Sequence, residues 1–186
     1  MDERDDEAGP LAAGDFSSWL VEIRRAMRGE QDADVPCGGC TACCTASQFV
    51  HIGPDETDTL AHIPSALLFP APRMPRGHVL LGYDEHGCCP MLVDGACSIY
   101  EHRPRTCRTY DCRVFTAAGI EPEDDKPLIA RRVRRWRFSY EDPAGSAEHA
   151  AVRAAARAIQ GRGDHDRPVT ATQVAVRAVV DQAGST

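Results

Sequence analysis

A chain of 186 residues with a net charge of −7 fits one domain, with or without an appendage, and is long enough to bury roughly 70% of its unfolded surface without staples. Nine cysteines in 186 residues fall short of the roughly 8–10% that marks a small disulfide scaffold, so that class is excluded. The net acidity argues against general nucleic-acid binding, and no stretch approaches ~18 uninterrupted apolar residues, so no segment is read as spanning a membrane.

Residues 1–14 read as a disordered acidic tail, with acid where a secretory signal would carry base. A cytoplasmic, reducing setting is therefore expected, in which clustered cysteines serve metals or catalysis before disulfides. Asp15 or Ser17 caps a helix whose Phe16, Trp19, Leu20, Ile23 and Met27 recur at helical spacing, with Gly29 as its stop. The cysteine loop PCGGCTACCTA follows, then FVHIG as a short strand and PDETDTLAHI as a short helix opened by Pro54. The four prolines between Ser65 and Gly77 mark a loop. HVLLGYDEHGCCPMLVDGACSIY reads as a three-stranded meander turning at His86-Gly87 and Asp94-Gly95. EHRPRTCRTYDC is an arginine-rich loop, and residues 126–140 suit a helix or a strand equally. SAEHAAVRAAARAIQ and TATQVAVRAVVDQAG are helices, the second opened by a Thr170/Gln173 capping box, and GRGDHDRP joins them. Its Arg162-Gly163-Asp164 is read as chance.

All nine cysteines lie between residues 37 and 112. Cys37-x2-Cys40-x2-Cys43 sets three thiols at three-residue intervals on a small-residue loop, the run that holds irons in bacterial ferredoxins. Zinc sites usually pair two distant C-x2-C knuckles, and no second one is present, so the spacing leans toward iron–sulfur and leaves zinc as the alternative. In extended backbone, Cys44 would point away from Cys43, and one compact ion would not take both.

The pattern Cys37-x2-Cys40-x2-Cys43-Cys44, then Cys89-Pro90-x-Leu92-x4-Cys97-Ser98-Ile99-Tyr100-x2-Arg103-Pro104-x2-Cys107-Arg108, resembles the YkgJ-type CxxCxxCC cysteine-cluster family. That family is described as zinc- or iron-chelating, often as iron–sulfur-containing, and its domain resembles part of flagellin lysine N-methylase. The resemblance implies Cys37, Cys40, Cys43, Cys44, Cys89, Cys97, Cys107 and, more loosely, Cys112 as ligands, with Cys88 outside the pattern. Gly95 suits a three-residue bulged turn that would set Cys89, not Cys88, on the face of Cys97. Arg103, Arg105, Arg108 and Arg113 interleave with the last cysteines and are assigned to offset thiolate charge.

His51, His86 and His102 read as surface or structural histidines, and ARRVRRWRF (130–138) as a solvated face. No G-x-G-x-x-G or Walker loop is present, and Cys88 is the one thiol set apart for nucleophilic work, so a binding module is favoured over a metal-dependent enzyme of lysine N-methylase type. The expectation is an α+β, small cysteine-rich metal-centred domain with a short antiparallel β-meander and surrounding helices. Its partner is a metal ion or cluster: 15–145 holds the metal, and 146–186 is a helical extension packed on the same domain.

Overall fold

The computed structural model describes residues 9–33, 35–37, 39–161 and 170–181. Most of the expected acidic tail and the Arg162-Gly163-Asp164 loop lie outside the described residues. The fold is α+β, as expected, but the chain divides into two compact units, one from 1–34 and 111–186 and the other from 35–110. That division falls inside the segment 15–145 expected to be one domain.

In the first unit, Leu11–Asp15 forms a strand, β1, so the expected tail stops short of residue 14. Helix α1 (Phe16–Met27) follows at once, because the Asp15 carboxylate accepts the Ser18 N–H at 2.9 Å and caps it. It ends in a Schellman arrangement, with the Gly29 N–H on the Ala26 carbonyl, the Glu30 N–H on the Arg25 carbonyl, and Gly29 at φ +75°. Phe16, Trp19, Leu20 and Ile23 are buried along one face.

The ambiguous 126–140 segment is both helix and strand: α5 (Pro127–Arg135) and then β7 (Trp136–Ser139), which pairs in parallel with β1, Leu11 opposite Trp136 and Asp15 opposite Ser139. Phe138 meets Phe16 edge-on at 5.1 Å, and the His149 ring stacks on Phe16 at 4.3 Å. Helices α4 (Arg113–Ala118), α6 (Pro143–Gly161) and α7 (Ala171–Asp181) pack together through Val152, Ala156, Ile159, Ala175, Ala178 and Val179. The capping box of α7 is formed, with the Gln173 N–H on Thr170 Oγ1 and the Thr170 N–H on Gln173 Oε1. The arginines of 130–138 are engaged locally: Arg132 lies over the Trp136 ring, Arg134 pairs with Glu121 and Arg135 donates to the Gly9 carbonyl.

In the second unit, β2 (Val50–Ile52) and β3 (Leu68–Pro70) flank β4 (Val79–Leu81) in an antiparallel sheet. The proline-rich stretch expected to be loop thus supplies a strand. Pro70 is tolerated because β3 lies at the sheet edge, where one side of the backbone needs no partner. Helix α2 (Thr57–His62) starts three residues after Pro54, because the buried Glu56 carboxylate turns back to accept the Gly53 N–H at 2.8 Å. The expected meander is broken: β4 joins the other sheet, and β5 (Leu92–Val93) and β6 (Ala96–Cys97) form a hairpin of their own. Helix α3 (Arg105–Thr109) follows. The apolar core is small, five buried side chains from Ile52, Ile63, Leu81, Met91 and Ile99, with Cys89 and Cys97 packed against it.

Asp111 anchors the first unit. Its fully buried carboxylate accepts the Trp19 indole N–H at 2.8 Å and pairs with the buried Arg113 guanidinium at 2.9 Å. Asp111→Ala leaves that guanidinium buried without its counter-charge and is expected to lower stability by about 3–5 kcal/mol, against little change for the exposed Val21→Ala, as read by denaturant unfolding.

Candidate metal centre

The cysteine loop is built of tight turns, because small residues leave its backbone free to bond to itself. The Cys40 N–H reaches the Cys37 carbonyl at 3.0 Å, and the Cys44 N–H and the Thr45 hydroxyl reach the Thr41 carbonyl at 2.8 and 3.1 Å. With Cys43 and Cys44 in turn backbone, strand alternation does not apply, and their sulfurs lie 4.0 Å apart instead of on opposite sides. A tetrahedral ion with S ligands at about 2.3 Å separates its sulfurs by roughly 3.8 Å, so this pair suits one centre.

Two backbone bonds tie the loop to the next cysteine segment: the Cys89 N–H donates to the Cys44 carbonyl at 2.7 Å, and the Ser47 N–H to the Gly87 carbonyl at 2.9 Å. Asp84 organises the intervening turn. Its Oδ1 accepts the His86 and Cys88 N–H groups at 2.9 and 2.8 Å, and these bonds, that of Cys88 foremost, hold its carboxyl below the usual range.

The Asp94-Gly95 turn has two residues, both at positive φ (+50° and +77°), and pairs Leu92 with Cys97; the bulged three-residue turn expected there is not formed. The argument from alternation fails with it, since β5 begins at Leu92 and residues 88–91 are turn. Cys89 nevertheless packs against the same apolar cluster as Cys97, whereas the Cys88 sulfur lies against the His86 carbonyl. Cys107 is carried by α3, which is fastened to β2 by the Thr106 hydroxyl on the His51 carbonyl at 2.7 Å and to Glu56 through the Arg105 N–H.

These segments crowd their thiols together. Cys107 is pushed from 9.0 up to about 12, by burial first and then by Cys89, Cys44 and Cys97, with Arg103 opposing. Burial raises Cys89 too, and the charges of Cys44 and Cys97 add to it against the Met91 and Leu92 N–H groups. Cys43 donates to Cys44; that bond raises Cys43, with desolvation and the charges of Cys44, Cys107 and Cys37 adding, and lowers Cys44 to about 7 against its own burial, helped by Arg103. Cys37, Cys43, Cys44, Cys89, Cys97 and Cys107 are thereby one electrostatic neighbourhood, and Cys40 sits in the same loop. Cys112 belongs to the other unit, where its sulfur accepts the Trp136 indole N–H at 3.2 Å.

The arginines divide their work differently from expectation. Arg103 acts on Cys44 and Cys107, held by its Nε on the Tyr100 carbonyl at 2.7 Å and by its guanidinium 3.6 Å over the Tyr100 ring. Arg105 pairs with Asp55 and Arg113 with Asp111, while Arg108 donates to the Arg103 carbonyl. Sequence reasoning missed Asp84, Glu56 and Tyr100 as positioning groups. The Tyr100-x2-Arg103 spacing is the one signal that pointed to any of them.

Two outcomes follow for this region. Gly87 stands at φ +78°, and a Cβ there would meet Ser47 Oγ, so Gly87→Ala is expected to cost about 1–2 kcal/mol and to lower metal retention by loosening Cys44 from Cys89. A thiol raised in the folded state binds its proton more tightly folded than unfolded, so its stabilisation is complete below pH 9 and lost as pH rises toward 12. Metal-free protein should therefore lose stability across that window, whereas ligated thiolates carry no proton to lose and metal-loaded protein should stay level in pH-dependent thermal unfolding.

No curated protein and no solved structure matches the chain. Residues 36–127 match the CxxCxxCC family, described as "putative zinc- or iron-chelating domain", the family that the cysteine pattern of this segment resembles.

Proposed function

We propose that the unit of residues 35–110 holds an iron–sulfur cluster through cysteine thiolates, in the cytoplasm, where thiols stay reduced. One observation carries this reading: separate segments bring Cys37, Cys43, Cys44, Cys89, Cys97 and Cys107 into one neighbourhood, in which each thiol is coupled to at least one other. A zinc ion and an iron–sulfur cluster each take four thiolates, so the count does not choose between them; the three-residue spacing of Cys37, Cys40 and Cys43, the run that holds irons in bacterial ferredoxins, favours the cluster. With Cys40 of the same loop the candidate ligands number seven, of which one cluster takes four; Cys88 and Cys112 are assigned a turn contact and the Trp136 hydrogen bond instead. Cys37 and Cys43 keep exposed surface, which gives the centre an edge through which electrons can pass.

A structural zinc site is the second reading, favoured by the set Cys44, Cys89, Cys97 and Cys107, four thiols from separate segments. Anaerobic purification separates the two. Visible charge-transfer absorption with acid-labile sulfide is expected; stoichiometric zinc with neither would establish the zinc module. Cys89→Ser and Cys107→Ser should give insoluble or metal-free protein, because ligand binding in such sites supplies folding energy on the order of 10–16 kcal/mol. Cys88→Ala and Cys112→Ala should keep full metal content, and full content in Cys107→Ser would overturn the assignment.

A further inference from the structure

Away from the thiols, a second set of ligating side chains converges in the same unit. Asp58 and His62 stand one turn apart on α2, and His102 comes from the short 3-10 turn Tyr100–His102 packed against that helix. His102 Nδ1 lies 2.7 Å from Asp58 Oδ2, and His62 Nδ1 lies 3.8 Å from Asp58 Oδ1. The two imidazole rings stack at 3.5 Å with 6° between their planes. One ligand atom from each residue falls within 4.8 Å of the other two.

We propose that Asp58, His62 and His102 bind one divalent transition-metal ion through two imidazoles and a carboxylate, at a site separate from the thiol centre. Metal–nitrogen and metal–oxygen bonds of about 2.0–2.2 Å place ligand atoms roughly 3.3 Å apart around a tetrahedral ion. The Asp58–His102 separation is below that value and the Asp58–His62 separation just above it; His62 Nδ1 also meets the Asp58 carbonyl at 2.8 Å, so binding requires the two rings to turn out of their parallel stack, with His62 offering Nε2 or releasing that carbonyl. A proton now joins His102 to Asp58 across 2.7 Å, the place a cation would take.

All three side chains keep solvent contact, which leaves coordination positions for water and a path for the ion. Asp58 and His102 also line a cleft of about 240 Å³. Neutral imidazole with carboxylate suits Co²⁺, Ni²⁺, Cu²⁺ and Zn²⁺, whereas crowded thiolates favour iron–sulfur, zinc or Cu(I). The difference in donors makes the two sites separable in one sample. The neighbouring His51–His78 pair joins two imidazoles at 2.9 Å with no carboxylate in the set and serves as a control.

The experiment uses the full chain with its thiol centre loaded as purified, titrated with Co²⁺ and Ni²⁺ by equilibrium dialysis and absorption. One equivalent beyond the metal already held is expected, with Co²⁺ showing no thiolate-to-metal charge-transfer band. His62→Gln and His102→Gln should each weaken that equivalent by tenfold or more, Asp58→Asn should weaken it less, and His51→Gln should leave it unchanged. Metal and sulfide at the thiol centre, measured in the same samples, should stay constant in all four variants and report that they fold. No additional equivalent, an equivalent that survives in His62→Gln/His102→Gln, or a thiolate band on the added Co²⁺ would each overturn the proposal. None of these readouts depends on whether the thiol centre holds iron or zinc.

Discussion

Thiols crowded into a half-buried space cannot all ionise without a cation among them, and the arrangement of residues 35–110 follows from that constraint. Each thiolate added raises the cost of the next, as Cys89, Cys44 and Cys97 do for Cys107. One pair resolves the conflict by hydrogen bonding, Cys43 keeping a proton that it lends to Cys44. For the whole array a bound metal would resolve it, replacing the protons and turning mutual repulsion into shared attraction. The backbone commits to that outcome in advance: the Cys89 N–H on the Cys44 carbonyl and the Asp84-centred turn bring sulfurs together in a protein that would otherwise gain by separating them.

The same constraint changes what the cysteines do for stability. Length alone suggests a chain able to build a core without staples, but that inference assumes one domain. Residues 35–110 are a compact unit of their own, with five buried apolar side chains at their centre. A unit of that size usually needs disulfides, a metal or an extensive idealised core. Here Cys89 and Cys97 sit at the edge of the apolar cluster, so these thiols and the core are one continuous interior. The other unit is organised conventionally, around alanine- and valine-lined helices and the buried Asp111–Arg113 pair.

How much of this was legible depended on the kind of signal. The amphipathic period of α1, its Asp15 cap and its Gly29 stop were all readable, because each is local chemistry repeated at fixed spacing. So was the family motif, since ligand spacing is a property of the chain itself. Long-range pairing was not. Nothing in LAAGD announces a strand whose partner lies beyond residue 135, and the prolines around Leu68–Pro70 conceal an edge strand that tolerates one of them. The hairpin at Asp94-Gly95 was foreseen in kind and missed in length, since Asp-Gly suits a two-residue turn with both φ positive as well as a bulge ending in glycine. The choice of Cys89 over Cys88 consequently rests on packing against the apolar cluster that Cys97 also joins, not on strand alternation.

The arginines show most clearly why composition near a motif does not assign roles. Four of them interleave with the last cysteines, and a sequence reading gives all four the task of balancing thiolate charge. In the folded chain Arg105 is matched by Asp55 and Arg113 by Asp111, so both are neutralised before any thiolate is considered. Arg108 braces the Arg103 carbonyl, and only Arg103 bears on Cys44 and Cys107, oriented by Tyr100. A cation's place in the sequence therefore says less about the charge it offsets than the carboxylate that the fold sets beside it.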